Sequence, residues 1–100
     1  PYNHPEIALC YALAAETLGM RFVYLEGGSG AQRPIPPEMI SLVKSHLRVP
    51  LIVGGGIREE EVAGKAAEAG ADIIVTGTIA EEDPEKLKRL IAKVNSYRVC

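Results

Sequence analysis

An excess of basic charge is missing from this sequence. Eleven Lys and Arg stand against thirteen Asp and Glu, for a net charge of −2, so nothing favours nucleic-acid binding, which usually shows a basic patch or stripe. Long apolar runs are missing too: none approaches the ~20 residues a membrane span needs. The chain opens Pro1-Tyr2-Asn3-His4 without a basic n-region or an apolar core, so no signal peptide is expected. Pro1 is not a start methionine, and the natural beginning is expected upstream of it. Cysteine is scarce. Cys10 and Cys100 make neither a zinc pattern nor a disulfide framework. Reduced thiols and a cytoplasmic location are the expectation, with Cys10 as a small buried apolar group and Cys100 without evident role.

What is present is apolar and glycine-punctuated: 47% hydrophobic and 24% charged residues suit one globular domain. The most telling stretch is Val49-Pro50-Leu51-Ile52-Val53-Gly54-Gly55-Gly56-Ile57-Arg58. It reads as a buried strand ending in three glycines and turning directly into a helix. Glycine there lets the backbone approach a ligand and adopt φ values closed to other residues. The free N–H groups and positive dipole end of the next helix would make a phosphate site. A shorter copy follows in Ile73-Ile74-Val75-Thr76-Gly77-Thr78. Two such strand ends suggest one anion held between two loops.

Taken in order, Asn3 and Glu6 have the spacing of a capping box around Pro5. Ile7, Cys10, Tyr11, Ala14 and Leu18 then recur at helical spacing up to a stop at Gly19. This predicts a helix over 4–18 with that stripe inward. Arg21 to Glu26 is β-branched and aromatic, hence a strand, with Phe22, Tyr24 and Glu26 on one face and Val23 and Leu25 on the other. Gly27 to Ala31 reads as a loop. Pro37 opens a helix carrying Met39, Ile40, Val43 and Leu47. Strand two covers 50–54, a helix 59–69 ends at Gly70, and strand three covers 72–76. Asp83 caps a last helix with Pro84 in its first position and Leu87, Leu90, Ile91 and Val94 as its buried stripe.

The order α-β-α-β-α-β-α implies an α/β fold with parallel strands joined by crossovers. All three strands are almost wholly apolar, as when both faces are covered. A three-stranded parallel sheet leaves two edges open. The simplest resolution is that residues 1–100 form the C-terminal portion of a TIM (β/α)₈ barrel, helix 5 and units 6 to 8. Barrel phosphate sites lie after strands 7 and 8. The alternative is a small flavodoxin-like sheet.

Tyr24-Leu25-Glu26-Gly27-Gly28-Ser29-Gly30-Ala31, then Pro36-Pro37-Glu38-Met39-Ile40, Gly54-Gly55-Gly56-Ile57-Arg58 and Thr76-Gly77-Thr78, resemble the geranylgeranylglyceryl phosphate synthase family and the similar bacterial heptaprenylglyceryl phosphate synthases. The glycine-rich strand ends are shared by many phosphate-binding barrels. The Tyr24-to-Ala31 segment is the specific part. The resemblance implies a magnesium-dependent prenyltransferase joining the 3-hydroxyl of sn-glycerol 1-phosphate to a polyprenyl diphosphate and releasing pyrophosphate. It implies glycerol-phosphate contacts at Tyr24, Leu25, Glu26, Gly27, Gly28, Ser29, Gly30, Gly55, Gly56, Gly77 and Thr78. Glu26 would accept hydrogen bonds from glycerol hydroxyls and draw off a proton, with Tyr24 one layer deeper on the same face.

Two departures stand out. Gly27 is often Ala in the family, and Thr78 is Asn in another of its branches. The acid that binds Mg2+ belongs to the first strands of the family's barrel, outside these residues, so no metal ligand is assigned here and the 100 residues alone are expected to be inactive. Family members form dimers or hexamers, which implies a homo-oligomer without choosing its size. Another phosphate-sugar barrel, or a non-catalytic piece that self-associates through open strand edges, are the competing readings. Arg58 reads as a surface partner of Glu59, Glu60 and Glu61. His4 and His46 carry no catalytic or metal assignment, and Glu81, Glu82, Asp83 and Glu85 read as a solvated helix start.

Overall fold

The computed structural model describes residues 3–27, 33–76 and 83–97. Within them the chain forms α1 (Pro5–Thr17), β1 (Val23–Glu26), α2 (Pro37–His46), β2 (Leu51–Gly54), α3 (Glu60–Ala69), β3 (Ile73–Val75) and α4 (Pro84–Asn95). The order is the one read from the sequence. The strands pair in parallel as β1-β2-β3, with Glu26 beside Gly54 and Gly54 beside Val75. All three therefore deliver their C-terminal ends to the same edge of the sheet. No helix among the described residues is long and apolar enough to cross a membrane.

The helix boundaries follow local chemistry. At the end of α1, Met20 N–H donates to Ala15 O and Gly19 N–H to Glu16 O, both at 3.0 Å, with Gly19 at φ +87°. This is a Schellman cap, which needs a left-handed residue at that position. Gly70, at φ +120°, closes α3 the same way, through Ala71 N–H to Ala66 O and Gly70 N–H to Ala67 O at 3.1 Å. Asp83 caps α4 as expected, accepting from Lys86 N–H at 3.1 Å. The expected capping box on α1 does not form. The N-cap is His4, so the third helical position falls on Ile7, and Glu6 instead lies 3.2 Å from His4 Nδ1.

The helices pack on one face of the sheet, where Leu51, Val53, Ile40 and Val43 are fully buried and Val23, Met39, Leu47, Ile57, Ala63, Ala66 and Leu90 complete the core. Phe22, Tyr24, Ile73 and Val75 occupy the other face and are exposed. Both faces were expected to be covered, and one is. A barrel explains the pattern, because its strands are apolar on both sides but fill the inner one only with side chains from opposite strands.

Two stripes differ from expectation. On α1 the inward residues are Ala12, buried, with Ala8, Leu9 and Ala15 packed against the core. Tyr11 and Leu18 are 76% and 77% exposed, Ile7 and Ala14 are also exposed, and Cys10 is exposed rather than buried. Nearly every α1 side chain is apolar or small, so periodicity names no unique face, and alanines permit the closer approach. On α4, Leu90 is buried while Ile91 is 48% exposed.

The N-terminal ends of the strands are tied by carboxylates. Glu16 Oε2 accepts from Arg48 N–H at 2.6 Å and Val49 N–H at 3.2 Å, joining α1 to the start of β2. Asp72 Oδ2 accepts from Leu51 N–H at 2.9 Å and meets Lys44 Nζ at 2.7 Å, while Asp72 N–H donates to Leu51 O at 2.9 Å. Partial burial pushes the Asp72 carboxyl up, but the bond and charge of Lys44 and the Leu51 amide outweigh it and hold it below the usual value. A depressed folded pKa gives stability that is complete above the unfolded value of about 3.9 and is lost as pH falls through the folded one. Asp72→Asn should therefore lower the urea midpoint at neutral pH. The gap between parent and variant should narrow between about pH 5 and about pH 3, as followed by circular dichroism.

Candidate functional site

The C-terminal ends of the strands form the candidate site. Strand alternation sends Tyr24 and Glu26 to the face away from the helices, as expected, and Leu25 to the opposite one, where it packs against the core. The Tyr24 hydroxyl donates to the Glu26 carboxylate. That bond, together with burial and the negative charge of Glu26, raises the phenol above its ordinary pKa. The ring remains 44% exposed, open to a ligand at the mouth of the sheet.

Beside this pair, Gly27 N–H donates to Gly54 O at 3.0 Å, which prolongs the β1–β2 ladder past Glu26. Gly55 and Gly56 then turn at φ +92° and +72°, conformations that any side chain would strain. Both are also hemmed in. A Cβ on Gly55 would lie 2.7 Å from Gly27 N and 2.9 Å from Glu26 Oε1, and one on Gly56 would lie 2.8 Å from the Arg33 carbonyl carbon and Pro34 N. The chain returning from β1 thus passes directly over the glycine turn. Glu26, Gly27, Gly55 and Gly56 come together in this way, which joins two sequence motifs 28 residues apart into one surface.

Gly28, Ser29, Gly30, Gly77 and Thr78 lie outside the described residues, as does Cys100. Thr76, at the end of β3, marks where the second glycine motif begins. The glycines do not turn directly into a helix, as the sequence suggests. Ile57, buried at 5% exposure, Arg58 and Glu59 intervene, because Ile57 is drawn into the core. The N-terminus of α3 is also acidic, with Glu60 and Glu61 in its first turn, so main-chain amides of the glycine turn are the better anion donors. Glu59, Glu60, Glu61 and Arg58 are exposed, and Glu59 pairs with Lys86 Nζ at 2.6 Å. His46 Nδ1 lies 3.0 Å from Leu42 O and from Ser45 Oγ, a local contact on its own helix. Among the described residues no three His, Cys, Asp or Glu converge as a metal site.

Sequence reasoning counted Gly54 among the strand-end glycines but gave it no contact of its own. A Cβ there would fall 2.6 Å from the Tyr24 hydroxyl oxygen. The signal lay in glycine standing at the end of an otherwise β-branched and aliphatic strand.

Known proteins resemble this chain in sequence and in fold. The geranylgeranylglyceryl phosphate synthase of Thermococcus gammatolerans is 58% identical over 98 residues, covering 96% of this chain and 39% of the relative. Among solved structures, the (S)-3-O-geranylgeranylglyceryl phosphate synthase of Thermoplasma acidophilum, in complex with its substrate sn-glycerol-1-phosphate, superposes with a TM-score of 0.93 at 44% identity, over 96% of this chain and 40% of that one. The wild-type GGGPS of Thermoplasma volcanium gives a TM-score of 0.92 at 47% identity, over 100% of this chain and 41% of that one. The chain thus spans about two fifths of the length of these relatives, matching their C-terminal part, and its sheet is part of a TIM barrel. Residues 1–95 match the PcrB family, and the chain belongs to that family.

Proposed function

We propose that this chain supplies the glycerol-phosphate site of a prenyltransferase of ether-lipid synthesis. The observation that carries this reading is the joining of the Tyr24–Glu26 pair to the Gly55–Gly56 turn at one edge of the sheet. A relative similar along nearly the whole chain is described as binding sn-glycerol-1-phosphate, and the two halves of that molecule suit the two halves of this surface. Its phosphate would take main-chain N–H groups from Gly55 and Gly56, completed by Gly28, Ser29, Gly30, Gly77 and Thr78. Its hydroxyls would face Glu26 and Tyr24, with Leu25 contributing only backbone because its side chain is turned to the core.

In the proposed reaction the glycerol 3-hydroxyl oxygen bonds to the terminal prenyl carbon, the carbon–oxygen bond to diphosphate breaks, and pyrophosphate leaves with the electron pair. Glu26 takes the hydroxyl proton. A carboxylate held by a phenol donor and placed at the mouth of the strands can act as that base. The magnesium ion implied by the family resemblance would be held by the acid expected in the family's first strands, and this reading assigns these residues no part in holding it. The protein is read as a cytoplasmic homo-oligomer.

Calorimetric titration should show sn-glycerol 1-phosphate binding more tightly than sn-glycerol 3-phosphate. Glu26→Gln should weaken the 1-phosphate by about tenfold or more, the loss expected for a hydrogen bond to a charged group. Equal affinity for the two enantiomers, or an unaffected Glu26→Gln variant, would contradict the reading. Supplied with sn-glycerol 1-phosphate, magnesium and geranylgeranyl diphosphate, the 100 residues on their own should release no pyrophosphate in a coupled assay, and measurable release would refute that part.

A further inference from the structure

Backbone conformation does not explain Gly54. It lies inside β2, paired with Glu26 on one side and Val75 on the other, and is not among the glycines with positive φ. Glycine in a strand gives up packing and costs conformational entropy, and the residues before it are Leu51, Ile52 and Val53. The constraint is steric. A Cβ at this position would stand 2.6 Å from the Tyr24 hydroxyl oxygen, 3.2 Å from its Cε1 and 3.2 Å from Val75 Cβ. With Val75 on the far side, the phenol would be the group to move.

We infer that Gly54 is a positioning residue, whose missing side chain forms the seat for the Tyr24 phenol and thereby fixes the Glu26 carboxylate at the mouth of the strands. The inference rests on the proposed role of Glu26 and Tyr24 in binding glycerol phosphate. Gly55 extends the seat beneath Glu26, but its φ of +92° already demands glycine, so Gly54 isolates the steric effect. The raised Tyr24 titration agrees with a phenol held against the carboxylate.

A double-mutant cycle separates this role from a general loss of packing. Gly54→Ala should weaken sn-glycerol 1-phosphate binding by about tenfold, the loss of one charged hydrogen bond. In a Tyr24→Phe background, where the clashing oxygen is gone, the same change should alter affinity by less than about twofold. Equal losses in both backgrounds, or no loss in the first, would overturn the inference. Should Gly54→Ala fail to fold, the double variant must recover the fold, and its failure to do so also overturns it. Ring-carbon NMR of Tyr24 provides a readout without ligand. Its titration midpoint should fall in Gly54→Ala, and an unmoved midpoint counts against the seat. Absence of binding by the parent chain would instead refute the glycerol-phosphate reading and leave the NMR result to decide the seat.

Discussion

The register of β3 against β2 depends on the carboxylate of Asp72. It accepts the first amide of β2 at Leu51 while its own amide donates to the Leu51 carbonyl, and Lys44 from α2 closes on the same oxygen. A slip of one residue would send every side chain of β3 to the wrong face. The β1–β2 ladder, from Val23 N–H on Pro50 O to Gly27 N–H on Gly54 O, holds the other pair, so Glu26, Gly54 and Val75 arrive side by side at the C-terminal end. The candidate site depends on that alignment, because its acid and its glycine turn come from different strands.

The two ends of the strands divide the work. Glu16, Asp72 and Lys44 join elements at the N-terminal end. Tyr24, Glu26 and the glycines at the C-terminal end give up packing and regular conformation, and they present exposed polar groups. This is the division usual in barrels, with stability at one rim and chemistry at the other. It also explains why Gly54 is tolerated: the aliphatic residues of β2 lie toward the clamped end, where Leu51 and Val53 are fully buried.

Element order was legible because strand and helix signals are local. Asp83 and Gly19 announce helix ends through their own chemistry, and the period of two put Tyr24 and Glu26 on one face. Helix α1 was misread because Ile7, Cys10 and Tyr11 are as apolar as Ala8, Ala12 and Ala15, so only packing distance chose between them. Ile91 failed for a related reason, lying at the margin of a stripe centred on Leu90. The Glu16 and Asp72 contacts had no local signature, since their partners stand 32 to 33 and 21 residues away in sequence. Gly54 could be identified as a seat only once Tyr24 was seen lying across it.

On the proposed reading, the strand ends build one polyol-phosphate surface through glycine amides and a phenol-held carboxylate. Amide chemical-shift mapping with sn-glycerol 1-phosphate tests this most directly. The largest changes should fall at Gly27, Gly55, Gly56 and Thr76, with Arg48 to Leu51 unmoved. Changes centred on the clamped end or along the helices, or none at the glycine turn, would contradict the account.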